Sequence, residues 1–207
     1  MKRTEPDAVA VLRPEEAASL DDTELMLRVG KGDDQAFDIL INKYRRPIIA
    51  FMYRSLHASD IAEELAQEVF LRVYRARASY KAEAKFSTWL YRIATNLLVN
   101  HIRDTKQERT APTVNLDEPD EESGSTPDVA DATPTIEQRM LADERLAAIR
   151  KHVMALPERQ RTAVLMHKYQ GLDYKEIGKV LDLSESATKS LLFRAYETLR
   201  ERLKEFV

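Results

Sequence analysis

Apolar residues recur every three or four positions along most of the chain, which is the periodicity of an amphipathic helix. One stripe repeats every four residues and consists of Ile61, Leu65, Val69 and Val73. A second stripe, later in the chain, consists of Leu146, Ile149 and Val153. Gly occurs only 5 times, and residues that favour helices are abundant. The pattern predicts an all-α fold.

Capping residues and helix breakers divide this pattern into separate helices. The acidic residues at 21–24 cap the first helix, and the turn at 30–33 ends it. Pro47 lies inside the second, where it either kinks the helix or restarts it. Ser59 is expected to cap the third helix together with Asp60, and the fourth is capped by Ser87 or Thr88.

Near the C-terminus, two predicted helices are separated by only three residues. Tyr174 to Leu181 forms a short helix, Asp182-Leu183-Ser184 is about the length of a helix-turn-helix turn, and Ser184 is a good N-cap for the next helix. That helix carries an apolar stripe at Leu192, Ala195, Leu199 and Leu203. Opposite the stripe it presents Ser186, Lys189, Ser190, Phe193 and Arg194. Such a face suits the DNA major groove, although a plain helical hairpin with a solvated polar face has the same pattern.

Charge is segregated along the chain, which the net charge of −3 conceals. Residues 71–109 contain nine Lys and Arg against three acids, residues 111–135 contain seven acids and no base, and residues 136–207 contain 14 bases and 11 acids. The acidic stretch is rich in Pro and poor in apolar residues, so it cannot offset the entropy of ordering. We therefore expect a flexible N-terminal extension at 1–20, a helical domain at 21–109, a flexible acidic linker at 110–136 and a second helical domain at 137–207.

The composition also bounds the chemistry. The chain contains no Cys, no run of roughly 18 apolar residues that could form a membrane helix, and no signal-peptide pattern. Its His residues lack metal-ligand spacing, and no Gly-rich loop is present to bind phosphate. We expect a cytoplasmic protein without membrane insertion, metal, cofactor or enzymatic activity.

Three stretches together resemble the extracytoplasmic-function (ECF) sigma factors of the sigma-70 family. These are DIAEELAQEVFLRVYRA at 60–76, FSTWLYRIATNLLVNHIR at 86–103 and GLDYKEIGKVLDLSESATKSLLFRA at 171–195. The resemblance implies a monomeric promoter-specificity subunit that binds core RNA polymerase, recognises −35 and −10 promoter elements and starts transcription of a stress or signal-responsive regulon. It also implies a helical region 2 domain, a helix-turn-helix region 4 domain and an anti-sigma factor as a partner.

The resemblance assigns roles to three sets of residues. The helix at 60–76 would bind the clamp coiled coil of the largest polymerase subunit through Asp60, Glu64, Gln67, Glu68 and Leu71. The C-terminal domain would bind the flap of the second-largest subunit and the −35 major groove, the latter through Ser186, Lys189, Ser190, Phe193 and Arg194. The −10 strand would be held by Lys85, Trp89, Arg92, Asn96 and Arg103. Aromatic rings of this kind stack on unpaired bases and cations hold phosphates.

Four positions depart from the family's pattern. Leu191 and Tyr196 stand where basic residues are common, Thr188 stands where an aliphatic residue is usual, and Asn100 stands where an acid is frequent. An exposed Leu191 would offer an apolar contact, for example to a thymine methyl.

The alternative function is a stand-alone helix-turn-helix regulator, which should dimerise on palindromic sites.

Overall fold

The computed structural model describes residues 20–110 and 136–204, and throughout these residues the fold is all-α. The predicted extension and linker therefore lie almost entirely outside the described residues. A single-turn 3-10 helix at Arg77–Ser79 follows the third of eight α-helices. The α-helices are α1 (Asp22–Gly30), α2 (Asp34–Leu56), α3 (Ser59–Arg75), α4 (Phe86–Thr110), α5 (Ile136–Met154), α6 (Glu158–Tyr169), α7 (Tyr174–Leu181) and α8 (Glu185–Arg202).

The first helix begins where the acidic cap predicts. The Asp21 side chain accepts a hydrogen bond from the Glu24 N–H (2.8 Å), and Glu24 Oε2 accepts one from the Asp21 N–H (3.1 Å). This reciprocal capping box satisfies two backbone donors at the start of α1. The chain then turns at Gly32, whose φ of 95° favours glycine, and Asp33 caps α2.

Several predicted helix starts need correction. Ala58 occupies the N-cap position of α3 without a side-chain bond, so Ser59 and Asp60 lie in the first turn. Similarly, α4 begins at Phe86, which places Ser87 and Thr88 inside the helix. Sequence alone misplaces these caps because the backbone conformation decides where a helix starts, and before α3 the extended residue is Ala58, whose side chain gives no capping signal.

Pro47 neither ends nor restarts its helix, since α2 continues through it from Asp34 to Leu56.

Helices α1 to α4, here called the N-terminal group, enclose one part of the core. Val69 and Val73 are fully buried on α3, but Ile61 and Leu65 are only partly buried. The inward stripe of α3 is instead formed by Ala62, Ala66, Val69, Phe70 and Val73. The prediction shares Val69 and Val73 with this stripe, but it includes Ile61 and Leu65 in place of their neighbours Ala62 and Ala66. Small alanines carry little signal in a hydrophobicity pattern, although they allow helices to approach closely.

Helices α5 to α8, the C-terminal group, centre on Met166, Ile177 and Leu192, which are almost fully buried. The predicted stripe on α5 is wrong in two of its three members. Leu146 is 56 % exposed and Ile149 is 37 % exposed, and only Val153 packs against the core. These two residues instead give α5 an apolar outer face.

The two groups pack directly against each other. Helix α4 lies on α7, and α2 lies on α6. Their buried apolar residues form one continuous cluster. The helix-turn-helix is therefore held against the basic helix α4, an arrangement that no local sequence pattern predicts.

Candidate DNA and polymerase interfaces

The turn between α7 and α8 is built as a helix-turn-helix. Asp182 adopts the left-handed conformation (φ 56°, ψ 53°) at the C-cap of α7. The next N–H, that of Leu183, donates to the Gly178 carbonyl at 2.9 Å. Ser184 then caps α8, as predicted, by accepting a hydrogen bond from the Ala187 N–H at 3.2 Å. These bonds satisfy the backbone groups left free where one helix stops and the next starts.

Close packing fixes the angle of this turn. A Cβ atom on Gly178 would lie 2.8 Å from the Leu183 carbonyl oxygen and 3.1 Å from Thr188 Oγ1. Thr188 is fully buried, and its hydroxyl donates to the Ser184 carbonyl at 3.0 Å. The hydroxyl is thus satisfied within α8, which explains how a polar residue fits an apolar position.

Sequence reasoning missed one support of the helix-turn-helix. Arg159 on α6 donates through Nη2 to the Leu181 carbonyl oxygen at 2.8 Å. This carbonyl lies in the last turn of α7, where no intrahelical donor is available. Nothing in the local pattern around Arg159 indicates that contact, because the two residues lie on different helices.

The five predicted −35 residues are all exposed on one side of α8. Phe193 is 62 % exposed, so its ring is available for a contact beside Lys189 and Arg194. Lys189 forms an ion pair with Glu185 at 2.7 Å, and the hydrogen bond with Glu185 raises the pKa of the lysine. The predicted residues of this set are Ser186, Lys189, Ser190, Phe193 and Arg194.

Leu191 and Tyr196, the other two departures on α8, are partly withdrawn from solvent. Leu191 is half-buried and packs against the core, which argues against the apolar DNA contact expected for an exposed side chain. The Tyr196 hydroxyl lies 2.8 Å from Nδ1 of His167, and burial raises the pKa of Tyr196. Both residues therefore serve the packing of α8.

The predicted −10 residues follow one face of α4 and the residue before it. Their spacing of three, four or seven residues brings them to the same side of a helix. Arg92, Asn96 and Arg103 are exposed, and so is Lys85. Trp89 is partly buried, with its ring centroid 4.9 Å from that of Tyr80. The residues of this stripe are Lys85, Trp89, Arg92, Asn96 and Arg103.

Lys85 forms an ion pair with a residue of the helix-turn-helix. Its Nζ lies 2.8 Å from Oε1 of Glu176 on α7, and this hydrogen bond raises the pKa of Lys85. The other carboxylate oxygen of Glu176 accepts the N–H of Asp173 at 2.9 Å, which closes a capping box at the start of α7. One carboxylate therefore joins the helix-turn-helix to a predicted −10 residue.

The predicted polymerase face lies on the outer side of α3. Asp60, Glu64, Gln67 and Leu71 are exposed, and Leu71 is 51 % exposed although it is apolar. Glu68 is partly buried and pairs with Arg72 at 2.8 Å. The face thus combines acidic and apolar groups, which suits a partner helix with basic and apolar residues.

Comparison with known proteins decides the family. The sigma-70 region 2 family matches residues 40–108, and the sigma-70 region 4 family matches residues 146–199. The RNA polymerase sigma-H factor of Pseudomonas aeruginosa is 33% identical over 88% of this chain and 94% of its own length. The ECF RNA polymerase sigma-E factor of Escherichia coli is 30% identical over 91% of this chain and 97% of its own length. The chain belongs to the ECF sigma factors of the sigma-70 family.

Solved structures share the fold of this sigma factor. CnrH, solved with the cytosolic domain of CnrY, covers 89% of this chain with a TM-score of 0.63 and 20% identity; the match spans 97% of that protein. RpoE of Bartonella quintana, solved with the anti-sigma factor NepR, covers 81% with a TM-score of 0.62 and 21% identity; the match spans 96% of that protein.

Membership in the family gives this sigma factor its general role, which is to confer promoter specificity on RNA polymerase. The region 2 match contains the α4 stripe, and the region 4 match contains the helix-turn-helix. A stand-alone regulator would not require the region 2 match, so the sigma-factor prediction is confirmed over that alternative. Its relatives are transcription initiation factors. None of the helices in the described ranges is long and apolar enough to cross a membrane.

Proposed function

We propose that this sigma factor reads the −35 element with the exposed N-terminal half of α8 and holds the −10 strand with the α4 stripe. One observation carries the proposal: the polar and cationic groups of each set face solvent on one side of a helix, with Phe193 exposed in the first set and Trp89 partly buried in the second. Helix-turn-helix proteins place this part of their second helix in the major groove. A melted strand offers unstacked bases and phosphates instead, which suit aromatic rings and cations.

Each group on the two faces has a specific chemical role. On α8, Lys189 and Arg194 contact phosphates or guanine edges, and Phe193 offers an apolar surface to a thymine methyl. On α4, Arg92 holds the strand by its phosphates, while the amide of Asn96 can both donate to and accept from a base edge.

The outer face of α3 is the proposed site for the clamp coiled coil of the largest polymerase subunit. A second surface is available for the flap of the second-largest subunit. It is an open groove between α5, α6 and α8. Away from the proposed −35 residues, the groove owes its apolar character to Ile149, Val153, Tyr196 and Leu203.

We also propose that the protein acts in the cytoplasm as a monomer and is restrained by an anti-sigma factor. Sigma factors of the same fold have been solved with the cytosolic domain of CnrY and with NepR. The exposed apolar positions Leu71, Leu146 and Ile149 offer such a partner surfaces on both helical groups.

The test is transcription from a promoter library by bacterial core polymerase, with and without the full-length protein. Protein-dependent transcripts that share two spaced upstream motifs are expected. In this assay Arg194→Ala should weaken use of the −35 motif, and Arg92→Ala should weaken promoter opening. Each substitution should weaken the free energy of the promoter interaction by about 1 kcal/mol or more.

The matched controls are Arg202→Ala, exposed at the C-terminal end of α8, and Arg45→Ala, exposed on α2. Both remove the same charge outside the proposed DNA faces. If the controls reduce transcription as much as their counterparts, the assigned faces are wrong. If the protein binds duplex DNA as a dimer and gives no transcripts with core enzyme, the polymerase-dependent role is wrong.

A further inference from the structure

One cluster of side chains connects α6 with both helices of the helix-turn-helix. The His167 ring on α6 is stacked against the Tyr174 ring at the start of α7, with centroids 5.3 Å apart and planes 15° apart. Nδ1 of His167 lies 2.8 Å from the hydroxyl oxygen of Tyr196 on α8, whose ring meets the imidazole edge-on. His167 therefore contacts α7 and α8 at once.

The cluster reaches the proposed −35 face through Lys189. Its Nζ atom lies 5.9 Å from the centroid of the Tyr174 ring, which is a cation–π distance, and 2.7 Å from Oε1 of Glu185. The side chain of Lys189 remains 56% exposed. An exposed ion pair is a weak constraint on a long side chain, so the Tyr174 ring supplies a second one. The ammonium group is directed without being covered.

The cluster and the −35 residues also share one surface. The open groove between α5, α6 and α8 is lined by the three rings of the cluster and by four of the predicted −35 residues, which are Lys189, Ser190, Phe193 and Arg194. A change in the direction of the Tyr174 ring would therefore alter the wall beside Lys189.

The contact between His167 and Tyr196 depends on the identity of both residues. Both are half-buried, and their hydrogen bond satisfies two polar groups that are partly withdrawn from water. A basic residue at position 196, as the family pattern has there, would extend its charge to solvent and leave Nδ1 of His167 without this partner. Tyr196 thus gives up a cation on α8 and instead fixes the His167 ring.

We propose that His167 and Tyr196 are positioning residues for the −35 contact: they orient the Tyr174 ring, and that ring orients Lys189 towards the DNA. Neither His167 nor Tyr196 has to touch DNA in this role. Their role rests on the DNA contact proposed above for Lys189. The two residues should consequently affect −35 binding only while Lys189 is present.

The test is a double-mutant cycle on promoter affinity. The holoenzyme, formed from the full-length protein and bacterial core polymerase, is titrated with a promoter duplex selected from the library. Tyr196→Phe removes the hydroxyl that bonds His167 and keeps the ring that lines the groove. Affinity should fall about three-fold when this change is made in the wild type and stay unchanged when it is made in Lys189→Ala, because contacts that act through one another are not additive.

Salt dependence gives a readout that a general loss of stability would not move. Lys189→Ala should lower the log–log slope of affinity against salt concentration by up to about 0.9, the value for one phosphate contact. Tyr196→Phe should lower the slope in the wild type, because the lysine is then misdirected, but not in Lys189→Ala.

The matched control is Tyr53→Phe. Tyr53 is half-buried on α2, and its ring also lies edge-on against a histidine, His57, with centroids 5.5 Å apart. This change removes a hydroxyl from a similar pair of rings away from the helix-turn-helix, so affinity and slope should keep their wild-type values. If Tyr53→Phe lowers both as much as Tyr196→Phe does, the effect of Tyr196 is not specific and the positioning role is wrong.

Two substitutions at His167 separate stacking from the filling of space. His167→Phe keeps a flat ring against Tyr174, whereas His167→Leu fills the site without one. The Phe variant should retain more of the promoter affinity than the Leu variant. If the Leu variant retains as much as the Phe variant, His167 only fills space and its positioning role is wrong.

Lys189→Ala distinguishes failure of this role from failure of the proposed function. If Lys189→Ala binds the promoter as well as the wild type, the −35 role of Lys189 is wrong, and the positioning role falls with it. If Lys189→Ala is impaired and Tyr196→Phe causes equal losses in both backgrounds, or none in either, the −35 role of Lys189 stands and the positioning role alone is wrong.

Discussion

Substitution of Gly178 by Ala tests whether packing or helix propensity controls the helix-turn-helix. Gly178 lies inside α7, where Ala is intrinsically favoured over Gly by about 1 kcal/mol. The added Cβ, however, would lie 2.8 Å from the Leu183 carbonyl oxygen. Thr188 Oγ1, at 3.1 Å, can move by a few tenths of an ångström, but the carbonyl belongs to the turn backbone.

The turn cannot relax freely, because the Leu183 N–H is bonded to the Gly178 carbonyl at 2.9 Å. Relief of the clash must shift the turn and alter the angle between α7 and α8. Overpacking of this kind costs about 1 to 3 kcal/mol. After the gain in propensity, Gly178→Ala should still be destabilising by up to about 2 kcal/mol, with weaker use of the −35 element.

The assay is urea denaturation followed by circular dichroism, together with the library transcription assay. The control is the neighbouring exposed position, where Lys179→Ala and Lys179→Gly measure propensity within the same helix. At position 179 the Ala variant should have a higher free energy of unfolding than the Gly variant. At position 178 the Ala variant should have a lower free energy of unfolding than the wild type, which has Gly there. If Ala at 178 is as stable as the wild type and leaves −35 use intact, the steric account of the turn is wrong.

Three further predictions concern single side chains. Arg159→Met removes the hydrogen bond to the Leu181 carbonyl and should lower the free energy of unfolding by about 1 kcal/mol in urea denaturation. Burial raises the pKa of Tyr91. The residue therefore contributes stability that is present below its unfolded-state pKa and is lost as pH rises above about 10. In denaturation at several pH values, Tyr91→Phe should make this alkaline loss of stability shallower. Glu185→Gln releases Lys189 from its ion pair, so binding of the full chain to duplex DNA should tighten, and the salt dependence should steepen by up to about 0.9 in log–log slope.

Each of these predictions has its own control. Arg45→Met removes an exposed arginine from α2 and should change the free energy of unfolding little. If Arg45→Met and Arg159→Met lower the free energy of unfolding equally, the stabilising role of the Arg159 hydrogen bond is wrong. Tyr53→Phe is the control for the denaturation measurements at alkaline pH. If stability depends on pH identically in Tyr91→Phe and the wild type, the contribution assigned to Tyr91 is wrong. For Glu185→Gln, a loss of affinity confined to one −35 base pair would contradict simple release of Lys189.

Local sequence signals are sufficient for some elements of this fold. The helix-turn-helix was located correctly because its signals lie within a few residues of one another. Ser184 caps the next helix through a bond to a residue three positions later. The caps predicted at Ser59 and at Ser87 or Thr88 are wrong because the backbone conformation at a helix start does not follow from the capping residue alone: at α3 the N-cap position is taken by Ala58, which has no capping side chain.

The sequence by itself determined the all-α class, the helix-turn-helix and which polar faces carry cations and aromatic rings, because helical periodicity and capping are local. Tertiary structure decided which apolar residues are buried, so Leu146 and Ile149 are exposed despite their spacing. It also decided that Lys85 meets Glu176 and that Tyr91 meets Gln170, 79 residues later in the chain. Such contacts depend on how two helical groups pack, and sequence periodicity gives the face of each helix without naming the helix that covers it.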